Sequence, residues 1–289
     1  MSALETPSGK GRQDENFPVG SWLIRPDLRA HVHAFYRFAR IGDDIADNPA
    51  LAPDDKVARL KRMADVLEGA PRDDPGDDAP AALAMRVSLA QTGLPSVHCL
   101  DLLRAFTLDA TKRRYTDWDD LVEYCRYSAM PVGRQVLDLH GESRATWRSN
   151  DALCAALQVL NHLQDCVDDY RQLDRVYLPE QTLAAHGSSI ADLERPRATP
   201  GLRKTLDELL DRTDALIDIA AGLPPGVVDW RLRAETATIV ALARRLSARL
   251  RRNDPVAGRV KLLGGDFATS LLVGLWRGLS SPPRPVPAQ

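Results

Sequence analysis

Apolar residues recur along this chain at helical spacing, and almost nowhere with the two-residue alternation of a half-buried strand. No Asn-Gly or Asp-Gly pair joins β-branched runs, so nothing marks a hairpin. A chain written this way must bury its apolar stripes helix against helix. The periodicity predicts helices over 27–47, 54–69, 80–92, 96–114, 117–140, 150–172, 200–221, 228–252 and 256–278. Breakers such as DNPALAP, PRDDPGDDAP, TGLPS and GLPPG stand between them. Thr116 with Asp119 reads as a variant capping box, and Asn150 as an N-cap. No linker divides the middle and no repeat is evident. The expectation is one all-α domain over 15–279, with a loose head (1–14) and a loose Pro-rich tail (280–289).

Composition narrows the function. Of 289 residues, 44% are apolar, enough for one large core, and the net charge of −2 offers no basic surface for nucleic acid. Cys99, Cys125, Cys154 and Cys166 have no CxxC spacing and read as free thiols in a reducing compartment. The polar N-terminus lacks the apolar stretch of a signal peptide, so a cytoplasmic location is expected. FATSLLVGLWRGL (267–279) is too short to span a bilayer; it reads as a core helix, with an interfacial helix as the alternative.

Two acid clusters break the apolar pattern. In FYRFARIGDDIAD, Asp43 and Asp47 stand one turn apart on one helix face with Tyr36, Arg40 lies about 60° to the side, and Asp44 adjoins. In LQVLNHLQDCVDDY, Gln158, Asn161, Asp165, Asp168 and Asp169 share about 100° of arc opposite Leu157, Leu160, Leu163 and Val167. A solvated helix end explains one such cluster. Two on separate long helices, each with an amide or arginine companion, call for a cation to offset their repulsion. Lys and Arg are few on these faces, and all-oxygen ligands favour Mg²⁺, which also accepts phosphate oxygens. Phe35, Tyr36 and Phe38 beside the acids suggest an ionic mouth over an apolar interior, suited to a diphosphate on a long hydrocarbon.

These residues resemble the squalene and phytoene synthases, all-α enzymes of the isoprenoid-synthase fold whose helical bundle surrounds a central cavity. ARIGDDIAD is similar to the family's first aspartate-rich motif. LQVLNHLQDCVDDYRQLDRVYLP is similar to its second, and YCRYSAMPVG (124–133) to the cavity-lining segment. The likeness covers roughly 15–265. It implies Mg²⁺ ligands at Asp43, Asp44, Asp47, Asp165 and Asp169, with Asp168 a weaker candidate where relatives carry glutamate. It implies diphosphate contacts at Arg40 and Arg175. Gln158 and Asn161 would line the channel beside the reacting carbons. Tyr124 and Tyr177 would present π-faces to a carbocation, and these two with Asn161 are the candidates to position water.

Within the family, NFPV (16–19), SAMPVG (128–133) and Gln164, where relatives have arginine, look like the hydroxysqualene synthase branch. That branch implies ionisation of presqualene diphosphate, rearrangement, and capture by water without a reductant. Pro131 should kink its helix and free a carbonyl near Ser128, a seat for that water. The alternatives are a head-to-head prenyl transferase (presqualene diphosphate, dehydrosqualene or phytoene synthase) and a helical scaffold without chemistry. Peripheral membrane contact for release of an apolar product is a further expectation. The oligomeric state is not legible.

Overall fold

The computed structural model describes residues 23–70 and 79–280. Among them there is no strand; one isolated parallel bridge joins Arg114 to Val176. The NFPV segment, the head 1–14 and most of the Pro-rich tail lie outside the described residues.

Thirteen α-helices follow in order among the described residues. The first four, α1 (Arg29–Asp47), α2 (Pro53–Glu68), α3 (Pro80–Thr92) and α4 (Val97–Thr111), share one apolar core. Pro at the first turn opens α2 and α3, where its missing N–H has no partner to lose, and Gly69 and Gly93 close them with φ of 98° and 68°. Phe35 and Phe38 belong to this core; Phe38 is fully buried. They therefore pack the α1 backing rather than the pocket that the sequence suggested. Gly42 lets α1 approach α4, since a Cβ there would sit 2.5 Å from Phe106.

The second core is built around α7 (Trp147–Gln164), which buries Ala, Val and Leu side chains together with Asn150, His162 and Gln164. Packed on it are α5 (Trp118–Ser128), α6 (Met130–Leu139), α10 (Pro200–Ala220) and α12 (Trp230–Arg252). The short α8 (Cys166–Leu173), α9 (Glu180–Ala185) and α11 (Leu223–Gly226) connect them, and α13 (Gly264–Ser280) lies along α12.

Three helical expectations change. The helix over 117–140 is two helices: the chain breaks at Ala129 (φ −120°, ψ −47°), so Pro131 opens α6 instead of kinking a continuous helix. The helix over 150–172 starts earlier, at Trp147, and bends at Asp165 into α8. Its ladder nevertheless continues, Asp165 N–H to Asn161 O at 2.9 Å and Asp169 N–H to Asp165 O at 2.9 Å, so the polar stripe survives the bend. The helix over 256–278 begins only at Gly264, because Gly264-Gly265 disfavours an earlier start and 253–263 runs as coil.

Both caps move. Asp117, not Thr116, caps α5 by accepting from Asp120 N–H, while Thr116 N–H donates to Asp120. Asn150 lies inside α7, buried, with its amide donating to Met130 O at 3.4 Å across the α6–α7 crossing. Gly133 makes that crossing close: a Cβ there would meet Cys154 Sγ at 2.7 Å. Cys99, Cys125, Cys154 and Cys166 are all free thiols.

Candidate functional site

The last turns of α1 carry the first acid cluster, and the cluster is not short of cations. Arg40 reaches Asp43 at 3.3 Å and Asp44 at 3.3 Å, while Arg175 holds Asp47 at 2.7 Å and Ala46 O at 3.3 Å. This corrects the expectation that few basic side chains face the acids: Arg175 comes from a segment 128 residues further along, invisible to a helix-face count. Negative charge still exceeds what the arginines offset at Asp43. Burial first, then Asp47, pushes its carboxyl up to about 7, against the relief that Arg40 supplies.

Arg175 and Tyr177 sit two residues apart on the extended stretch after α8, so both point to the same side. Val176 between them donates its N–H to Arg113 O at 2.9 Å, which ties the stretch to the end of α4. On the inner side lies Asp109, a residue the sequence reading passed over. It is buried and accepts from Tyr124 Oη at 2.9 Å and Tyr177 Oη at 3.3 Å. Burial raises its carboxyl to about 7, with Arg175 acting against that rise. A lone acid on the otherwise apolar α4 face was its only sequence signal.

Around Asp109 the rings form a box. Tyr115 lies 5.2 Å from Tyr177 and 5.4 Å from Tyr124, centre to centre, and His162 stacks on Tyr177 at 3.4 Å. His162 also meets Gln158 at 3.0 Å through Nε2 and faces Asp169 at 3.7 Å through Nδ1. The first cluster (Asp47, Arg175) is thus joined along the 175–177 stretch to Tyr177, which holds Asp109 and stacks on His162, and His162 faces Asp169 of the second cluster. Asn161 is half-buried on the same α7 face. Asp168 is exposed.

Asp165 departs from the expected convergence. Arg259, from the coil before α13, grips it with two bonds of 2.6 and 3.0 Å. Burial still raises its carboxyl, with Asp169 and Asp168 adding to the rise. Gln164, the residue that departs from the family pattern, is buried and donates to Val260 O, so a neutral amide pins the same coil. Among the described residues no three His, Cys, Asp or Glu side chains converge on one metal position. The donor types nevertheless suit a hard cation: carboxylates in two clusters, with those of Asp43 and Asp165 raised by burial and by neighbouring acids.

A cavity of about 280 Å³ opens beside the cluster, lined by Asp47, Asp109 and Asp174 and by four cations, Lys56, Arg113, Arg171 and Arg175, of which Arg113 pairs with Asp174 at 3.3 Å. Lys56, Arg113 and Arg171 were not singled out in the sequence because each comes from a different element. Lys56 is anchored on Ala46 O at 2.7 Å. Ser128, one turn from Tyr124 at the α5–α6 break, has an enclosed hydroxyl with no hydrogen-bond partner.

The family model for squalene/phytoene synthase matches residues 10–266. Hydroxysqualene synthase of Rhodopseudomonas palustris is 48% identical over 92% of this chain and 89% of its own. That of Zymomonas mobilis is 45% identical over 90% and 86%. The 15-cis-phytoene synthase of a Paracoccus species, by contrast, is 28% identical over 90% of this chain and 86% of its own. A crystal structure of a squalene synthase from Alicyclobacillus acidocaldarius superposes with a TM-score of 0.72 at 34% identity, covering 83% of this chain and 90% of that one. A dehydrosqualene synthase at 22% identity, covering 90% of each chain with a TM-score of 0.75, shares the fold.

Proposed function

The chain belongs to the squalene/phytoene synthase family, and from that premise we propose that it is a hydroxysqualene synthase that ionises presqualene diphosphate and lets water capture the rearranged cation. The observation that carries the reading is the stacked order of the site. A cation-lined cavity adjoins an acid cluster, and directly beneath lies a buried carboxylate flanked by two tyrosines. The higher identity to hydroxysqualene synthases than to phytoene synthases supports the branch.

Lys56, Arg113, Arg171 and Arg175 hold the diphosphate by charge, with Arg40 fixing the aspartates of α1. Asp43, Asp44, Asp47, Asp165 and Asp169 would hold Mg²⁺, which when bound neutralises charge on the departing diphosphate. Occupation by metal requires Asp165 to leave Arg259. The C–O bond breaks with its electron pair going to diphosphate. Tyr124 then faces the cation with its ring, beside Tyr177, whose own ring is stacked by His162 and Tyr115, and the apolar α7 face with Gln158 and Asn161 keeps bulk water away.

Addition of one water forms the new C–O bond and releases one proton. Asp109 is placed to take it, directly or through the hydroxyl of Tyr124 or Tyr177. Ser128, with its unpaired hydroxyl, holds the attacking water. No reductant enters, and no nucleotide-binding motif is present in the sequence. Free thiols fit a reducing compartment, and a bilayer is the natural sink for the apolar product.

The test is incubation with presqualene diphosphate, without NADPH, in ¹⁸O-labelled water, followed by mass spectrometry. A labelled C30 alcohol is expected. Efficient turnover of farnesyl diphosphate alone to presqualene diphosphate or to a C30 hydrocarbon would place the protein among the head-to-head transferases instead.

A further inference from the structure

The helix α13 is amphipathic in reverse. Asp266, Ser270, Gly274 and Gly278, at four-residue spacing, form its buried face against α12. Asp266 pairs there with Arg249 at 2.7 Å and Arg245 at 3.6 Å. The two glycines let the backbones touch: a Cβ at Gly274 would lie 2.5 Å from Ala234 O, and one at Gly278 2.7 Å from Ala234 Cβ. The large apolar side chains point the other way. Leu272 is 67% exposed, Trp276 68% and Leu279 73%. This overturns the expectation of a core helix over 267–279. The patch continues past the helix end, because Arg233 joins Gly278 O to Val228 O and so brings exposed Val228 and Trp230 alongside.

A contiguous outward face of this kind marks an interaction surface. Its chemistry selects the occupant. The exposed charges at its two ends, Lys261 and Arg277, are both basic, and α13's one acid, Asp266, is turned inward and paired. A second copy would bring like charges together: antiparallel helices place Arg277 by the partner's Lys261, and parallel helices place the two Arg277 side by side. Anionic headgroups complement both ends. Trp230 and Trp276 supply rings with an apolar body and a polar N–H, the type of side chain that sits at a headgroup boundary. No helix among the described residues is long and apolar enough to cross a membrane.

We infer that the outward face of α13, with Val228 and Trp230 at its end, seats this protein in the plane of an anionic lipid surface without spanning it. The coil that leads into α13 is the one whose Arg259 and Val260 engage Asp165 and Gln164, so the seated face adjoins the second acid motif. An isoprenoid substrate and product that partition into lipid are then exchanged beside the site. The preference for lipid over protein rests in part on the isoprenoid reading, but the test does not need substrate.

The full-length protein is floated with vesicles of phosphatidylcholine alone or mixed with phosphatidylglycerol, without diphosphate. Flotation with the anionic vesicles is expected, weaker in high salt. The triple variant L272E/W276E/L279E should bind at least about tenfold less, with unchanged melting and unchanged turnover of detergent-dispersed substrate. Should that variant fold poorly, Arg277→Glu keeps the apolar face and should lower anionic-vesicle binding alone. Absence of flotation, or equal flotation of the triple variant, overturns the inference. So does a wild-type dimer, unable to bind vesicles, that the triple variant splits into monomers. Loss of turnover in detergent by the wild type would instead count against the proposed reaction.

Discussion

Replacing Asp109 by asparagine separates the charge at the bottom of the site from its shape. Asparagine keeps an oxygen that can accept from Tyr124 and Tyr177, whose hydroxyls lie 2.9 and 3.3 Å from the carboxylate. It removes the anion. Burial has raised the carboxyl from its ordinary value of 3.8 to about 7. An acid whose folded pKa is raised costs the folded state free energy as it ionises, and that cost grows from the unfolded pKa up to the folded one. At about 1.4 kcal/mol per unit, the cost is about 2 kcal/mol at pH 5.5 and about 4 kcal/mol at pH 8. Asp109→Asn should therefore stabilise the metal-free protein, and by about 2 kcal/mol more at pH 8 than at pH 5.5. Arg175 keeps Asp47 at 2.7 Å, so it is not stranded. Urea unfolding at the two pH values measures the difference; Asp43, shifted in the same direction and in part by Asp109 itself, relaxes in the variant and adds to the gain at pH 8. Turnover should fall by about 10²–10⁴, the usual contribution of a positioned proton acceptor. Greater stabilisation at pH 5.5 than at pH 8 would refute the electrostatic argument, and wild-type turnover would refute the role in proton transfer.

Asp43→Ala and Asp47→Ala should both abolish product yet move stability in opposite directions. The first relieves crowding and leaves melting level or raised. The second removes the closest partner of Arg175, a residue 7% exposed, and should cost about 2 kcal/mol, below the 3–5 of a fully buried pair because Asp109 remains; equal melting shifts would contradict this. Activity should disappear in excess EDTA and return with Mg²⁺, read by diphosphate release; full activity in chelator would remove the metal from the reading. Gly133→Ala should destabilise by about 1–3 kcal/mol, since its Cβ would meet Cys154 Sγ at 2.7 Å in a packed crossing; a melting temperature unchanged from wild type would mean that α6 and α7 are free to separate.

Arg259 shows why part of the site was out of reach before the fold was seen. Its own neighbourhood, RNDPVAGRVKLL, falls largely inside the helix expected over 256–278, which put Arg259 on a helical face where the structure has coil. Its partner Asp165 is 94 residues away. Arg175, by contrast, was legible through its place in a long motif, although not its grip on Asp47. Asp109 was missed because one acid on an apolar helix gives no spacing to read; only the approach of Tyr124 and Tyr177 from two other elements makes it a site.

Periodicity and breakers were sufficient for the class of fold, because the 3.6-residue turn places Asp43 over Asp47 and Gln158 over Asn161 whatever the rest of the chain does. The same local rule supplied the acid clusters and the oxygen-ligand chemistry they favour. It could not tell which stripe of a helix meets the core when both are apolar or small. For α13, sequence periodicity suggested burial of Phe, Leu and Trp. The structure buries Gly274 and Gly278 instead, because α12 can approach closely only where no Cβ intervenes. Pairings between elements distant in sequence, Arg175 with Asp47 and Arg259 with Asp165, depend on how loops bring helices together. That is decided by the packing of the whole bundle, not by any segment of it.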